Sequence, residues 1–258
     1  MSEVASSAPG ASASRARRLR TGIAAQIRAF VRTPVNVVLL IALPLVVVEG
    51  YGIAMDAFPQ LPFVQAGRLA EMGRVNGAIY SVAFFAGVLG LFQVISARQA
   101  DERLRICGYS RGELFASRLI TVMLGTLVIT GAALSVLAWR TPPEAPIVAF
   151  GALALAALVY GLIGMLVGAV LPRALEGSLV MVFLVDFDDF LSSGMLNLDS
   201  PILTLFPLHF PHKLFRSAVF EGSIALDNAA AGVTYVLVAG VVALSVYVRL
   251  TGNGGDLA

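Results

Sequence analysis

The sequence predicts an all-α membrane protein: six transmembrane helices, an N-terminal amphipathic helix in the membrane interface, and a short cytoplasmic helix between the second and third spans. Three observations carry this. The chain of 258 residues is 58% hydrophobic and only 13% charged, with a mean hydropathy of +0.85; a water-soluble chain needs far more solvated side chains to cover its surface. Its apolar stretches run to about 20 residues, the length that crosses a bilayer's hydrocarbon core. Its charge is gathered, with eight charged residues in ARQADERLRICGYSRGELFASRL (97–119), between two long apolar runs.

Residues 1–14 (MSEVASSAPGASAS) are small and polar, the composition of a disordered tail, and lack the apolar core of a secretory signal. Residues 15–33 follow as the interfacial helix. Leu19, Ile23, Ile27, Phe30 and Val31 recur at helical spacing, and Arg17, Arg18, Arg20 and Arg28, with Arg15 and Arg32, form a cationic margin for anionic headgroups. Thr33-Pro34 ends this helix and starts the next. Residues 34–250 are then the six-span domain, and 251–258 a cytoplasmic tail.

The first span is expected over about Val35–Met55 and the second over about Gly77–Ser96. The third runs from Leu119 to Trp139, where tryptophan suits the interface, and the fourth from Ile147 to Leu171, stopped by Pro172. The fifth starts near Gly177 and meets Asp186, Asp188 and Asp189; the sixth covers about Ala229–Val248. With the N-terminus inside, the inner segments hold 13 of the 18 lysines and arginines and the outer segments five. The positive-inside rule therefore places both termini, and the charged stretch, in the cytoplasm.

The charged stretch reads as helix, break, helix. The second span continues past the membrane to Cys107, and Gly108 suits the left-handed position after a helix end. Ser110-Arg-Gly-Glu113 has the form of a capping box, with Tyr109 and Leu114 placed for a hydrophobic staple. One reading is a docking element; the other is a charged loop that keeps a hairpin out of the bilayer.

Residues 102–114 (ERLRICGYSRGEL) resemble the loop after the second span in permeases of type-2 ABC exporters. A second stretch, SPILTLFPLHFPHKLFRSAVFEG (200–222), is similar to that family's segment before the last span. The resemblance implies an ATP-driven exporter permease, with substrate entering from the cytoplasm or inner leaflet. The short helix would be a coupling helix, with Asp101, Glu102, Arg103, Arg105 and Glu113 touching a separate cytoplasmic ABC ATPase. It also implies a second permease subunit, identical or not, since six spans are half of the family's usual membrane assembly.

No GxxxxGK[ST] phosphate loop is present: the one lysine, Lys213, follows His212 with no glycine-rich run. The chain is therefore expected to bind no cofactor itself and to be no enzyme, with ATP and Mg handled by the partner. A net charge of +2 and a single lysine argue against a nucleic-acid partner. Cys107 is the lone cysteine, so no intrachain disulfide can form.

Four acids are candidates for a substrate pathway. Glu49 lies within the first span, where an ionisable group is costly unless paired or wetted. Asp186, Asp188 and Asp189 crowd the outer end of the fifth; Asp186 and Asp189 share a face if the segment is helical. They form either an acidic vestibule for a cationic or amphipathic substrate, or a span end that meets water before a membrane-surface hairpin. The alternative function is a metal-dependent membrane enzyme using these aspartates with His209 and His212, although Pro211 in HFPH is expected to disrupt helical register. Glu49 could instead serve an ion-coupled transporter, but no inverted repeat supports that. Gly164-x-x-x-Gly168, with Gly161, fits close helix packing.

Overall fold

The computed structural model describes residues 34–57, 69–194 and 200–250, with Thr21, Gly22, Ala24, Arg28 and Arg32. Both expected tails lie outside the described residues, as do Arg17, Arg18 and Arg20; within the expected interfacial helix, Arg28 is helical and exposed. Eight α-helices follow: α1 (Pro34–Asp56), α2 (Leu69–Ile95), α3 (Arg98–Ile106), α4 (Arg111–Arg140), α5 (Pro146–Val170), α6 (Ala174–Ser192), α7 (His209–Phe220) and α8 (Leu226–Leu250), with a 3₁₀ turn at Pro201–Leu205. There is no strand among the described residues.

Among the described residues, four helices are long and apolar enough to cross a membrane: Leu69–Ile95, Arg111–Arg140, Pro146–Val170 and Leu226–Arg249. Their outward faces are oily, as at Leu127, Val128, Leu237 and Val241. In water such faces would be an aggregation hazard; in hydrocarbon they are the ordinary surface. The protein is a multi-pass helical membrane protein. At 30 residues, α4 is about 45 Å long, longer than a hydrocarbon core of about 30 Å.

The packing centres on α2 and α5. Without a hydrophobic force between helices in lipid, close approach depends on small side chains. A Cβ added at Gly164 would collide with the Gly87 carbonyl, and one at Gly90 with the Gly161 carbonyl. Gly168 lies over the Leu91 carbonyl, where a Cβ would come to 2.8 Å. The glycine run on α5 thus seats α2. On the other flank, α1 packs through Tyr51, stacked on Tyr80 with ring centroids 5.4 Å apart.

Two boundaries differ from the sequence reading. The second span starts two turns earlier, at Leu69, because Arg74 extends it while facing Glu49 on α1. It also does not run on to Cys107. The helix breaks at Ser96 and Ala97, where the Ser96 hydroxyl donates back to the Phe92 carbonyl at 2.5 Å, and a separate α3 begins.

The helix α7 packs along α5. The amide of Leu208, at the start of α7, donates to Asp188, which also accepts from Tyr160, roughly midway along α5. At its other end α7 reaches the loop before α5, where Ala145 N–H donates to Ala218 O at 2.9 Å and Glu144 N–H to Val219 O at 3.3 Å. So α7 runs antiparallel to α5 from its middle to its N-terminal end. Pro211 is accommodated in the first turn of α7, where the missing N–H costs no helical bond.

Candidate functional site

Two polar assemblies interrupt the apolar body. The first fastens α3. Its one buried residue is Asp101, 7% exposed. The Asp101 carboxylate receives both Nε (3.1 Å) and Nη2 (2.5 Å) of Arg118 on α4, and the Tyr247 hydroxyl of α8 at 2.9 Å. Arg118 Nη1 donates to the Gln93 carbonyl of α2 at 3.0 Å. A fork-to-fork arginine–carboxylate pair sets orientation as well as energy. One turn earlier, Arg98 donates to the carbonyls of Gly168 (2.6 Å) and Leu171 (2.5 Å). Those carbonyls are left over because Pro172 ends α5.

The rest of the stretch follows its local chemistry. Gly108 takes φ +88°, a conformation that favours glycine. The Glu113 amide donates to the Ser110 hydroxyl at 3.2 Å and the Ser110 amide to the Glu113 carboxylate at 2.9 Å, so the capping box forms. Arg111 donates to the Val248 carbonyl of α8 at 3.2 Å.

This geometry sorts the five expected docking residues. Glu102, Arg103 and Arg105 are exposed, beside Ile106 at 84% exposure. Asp101 points inward, where its carboxylate is taken up by Arg118 and Tyr247. Glu113 holds a cap with its carboxylate, which makes it a structural residue of α4. Spacing alone could not separate these roles, because the partners that claim Asp101 are distant in the chain.

The second assembly lies where α5, α6 and α7 meet. Asp188, 2% exposed, accepts from the Tyr160 hydroxyl (2.5 Å), the Ser192 hydroxyl (2.8 Å) and the Leu208 amide (3.0 Å). It therefore caps the N-terminus of α7, where a negative charge meets the positive helix end. Asp189 is also buried and lies 2.9 Å from Nε2 of the fully buried His212. The carboxylate partner assigns the proton of a neutral ring to Nε2; Nδ1 is buried with no hydrogen-bond partner.

Asp186 is exposed and approaches Tyr80, while Asp188 and Asp189 turn inward. Asp186 and Asp189 both act on Tyr51 and Tyr80, as residues sharing a helix face do, while Asp188 faces Tyr160. Among the described residues no three histidine, cysteine, aspartate or glutamate side chains are grouped to hold a metal ion. Tyr160 and Ser192, missed in the sequence, are the partners that keep Asp188 buried; a tyrosine alone in the otherwise apolar α5 was the available signal.

Glu49 is paired, as its position demands: its carboxylate lies 3.5 Å from Arg74 Nε and 3.4 Å from Arg140 Nε. Beside Asp188, a cavity of about 740 Å³ opens between α5, α6 and residues 205–207, with Phe183, Phe187 and Phe206 in its wall.

No protein-family model matches the chain, and no curated protein matches it. The fold and the two assemblies define a class, a multi-pass helical membrane protein with a braced, charged helix at one end of its bundle.

Proposed function

We propose that the chain is the membrane permease of an ATP-driven exporter of the type-2 ABC class, in the cell membrane with both termini cytoplasmic. In this reading α1 and α6 join the four long apolar helices as the first and fifth of six spans, and α3 is the coupling helix. ATP and Mg are bound by a separate ATPase chain, and a second permease subunit completes the pathway.

The observation that carries the reading is the construction of α3. A loop that only kept a hairpin out of the lipid would not need a buried arginine–aspartate pair, a tyrosine from the last helix and an arginine on the end of α5. These contacts make α3 rigid with α2, α4, α5 and α8, so that a push on its outer face moves the bundle. That face carries Glu102 and Arg103 of opposite sign beside exposed Ile106. Opposite charges around an apolar anchor give orientation and partner choice.

The test is affinity purification of the tagged chain from its native membranes in mild detergent. A stoichiometric P-loop ATPase is expected with the wild type. It should be lost from the charge-swapped Glu102→Arg/Arg103→Glu variant, which keeps net charge and leaves Asp101 and the capping box intact. A well-folded chain that brings down no ATPase, or a swap that keeps it, overturns the reading.

A further inference from the structure

We propose that the cavity between α5, α6 and residues 205–207 binds a cationic amphiphile, its apolar body against the aromatic wall and its ammonium on Asp188. The volume of about 740 Å³ lies within the roughly 300–1,000 Å³ of small-molecule sites. The wall is oily, with Ile163, Phe183, Leu184, Phe187 and Phe206 among its residues; Asp188 is the one charged residue in it. Phe183 and Phe187 are 68% and 60% exposed, so the cavity opens on the outer surface of α6, which faces lipid if α6 is the fifth span of the permease reading.

Charge decides the head group. Asp188 is held by two hydroxyls and an amide, all neutral donors; among the described residues it forms no ion pair with arginine or lysine, and the nearby His212 makes its contact with Asp189 instead. The end of α7 offsets only part of a full negative charge. A carboxylate only 2% exposed is costly without a counter-charge. Its geometry leaves room for one: a carboxylate has about four lone-pair sites, Oδ2 takes two donors and Oδ1 only one. A primary ammonium supplies both the missing charge and the missing donor. An alcohol supplies only the donor, and an anionic head is repelled. The lipid-facing opening, and the identity of the bound molecule with the exported one, rest on the permease reading.

The experiment uses the full chain in nanodiscs of phosphatidylcholine, with radiolabelled dodecylammonium, dodecanol and dodecanoate as probes of one chain length. Saturable binding of one dodecylammonium per chain, above partition into empty discs, is expected. Dodecanol should bind about tenfold more weakly, and dodecanoate not saturably. Asp188→Asn should abolish the tenfold preference, and Val180→Trp, at another position lining the cavity two turns before Asp188, should remove binding of every probe. Equal binding of the three probes would make the cavity a lipid-filled crevice and overturn the proposal, as would the absence of saturable binding. Should Asp188→Asn fail to fold, the wild-type probe series and Val180→Trp decide the matter. ATPase co-purification is read separately, so loss of either result leaves the other standing.

Discussion

Asp101 and Arg118 meet in a two-point ion pair, at 2.5 and 3.1 Å, although they sit on different helices 17 residues apart. Both are nearly buried, at 7% and 5% exposure, and Tyr247 closes the group from 146 residues away in the sequence. The pair transmits position: it fixes the height and rotation of α3 relative to α4 and α8. Removing one partner strands a buried charge, whereas removing both need not. Asp101→Ala should therefore destabilise the chain by about 3 kcal/mol, and Asp101→Leu/Arg118→Met should recover most of that loss. Tyr247→Phe should cost about 1 kcal/mol. Thermal unfolding in nanodiscs across this series checks the order. Additive losses in the double variant would show that the two residues do not act as a pair.

The capping box makes a local prediction. Ser110 and Glu113 satisfy two amides that no helical carbonyl reaches. Ser110→Ala should cost about 1 kcal/mol and be felt at the first turn of α4. Hydrogen–deuterium exchange should accelerate at residues 111–114 and stay unchanged at residues 98–104, which are held by other contacts. Faster exchange throughout 98–114 would instead make the cap the keystone of the whole stretch.

The α2–α5 crossing rests on glycine for steric reasons. Gly164→Leu should abolish accumulation of folded protein, because its side chain has to occupy the Gly87 carbonyl. Gly131→Leu is the control: nothing lies within 4 Å of a Cβ there, and the variant should express at wild-type level. Membrane-fraction abundance and size-exclusion profile report both. Normal folding of Gly164→Leu would place the crossing elsewhere.

These residues also show what was readable in the sequence. Features set by neighbours in the chain were legible: the capping box, the left-handed Gly108, the proline stops and the glycine run. They depend on backbone chemistry within a few residues, and the extent of each apolar run follows from bilayer thickness. The inward turn of Asp101 was not legible, because its environment comes from Arg118 and Tyr247 on other helices. The depth of α7 was also hidden. Hydrophobic periodicity tells which face of a helix is buried, but not how far down another helix it docks. That depth is set by Asp188 finding the Leu208 amide and Tyr160. The partners of the buried acids come from other helices and are not written in their neighbours.

The Glu49 cluster separates a structural ion pair from an ornamental one. Arg74 and Arg140 both approach the same carboxylate, at 3.5 and 3.4 Å, yet their side chains are 17% and 58% exposed. The Arg74 stem also lies across Gly52, whose Cβ would come within 2.7 Å of Arg74 Cγ, so Arg74 cannot easily swing away to find water. An exposed partner is screened and loses side-chain entropy on pairing, which leaves a median of about 0–1 kcal/mol. Arg140→Ala should therefore cost no more than about 0.5 kcal/mol, and raising the salt to 1 M should erase the effect, since the Debye length there is about 3 Å. Glu49→Ala strands the half-buried Arg74 and should cost about 2 kcal/mol, with little dependence on salt. Glu49→Ala/Arg74→Met should be milder than Glu49→Ala alone. Thermal unfolding in nanodiscs at low and high salt distinguishes the two arginines: a loss in Arg140→Ala equal to that in Glu49→Ala would reverse the assignment and make the outer pair the one that holds α1 to α4.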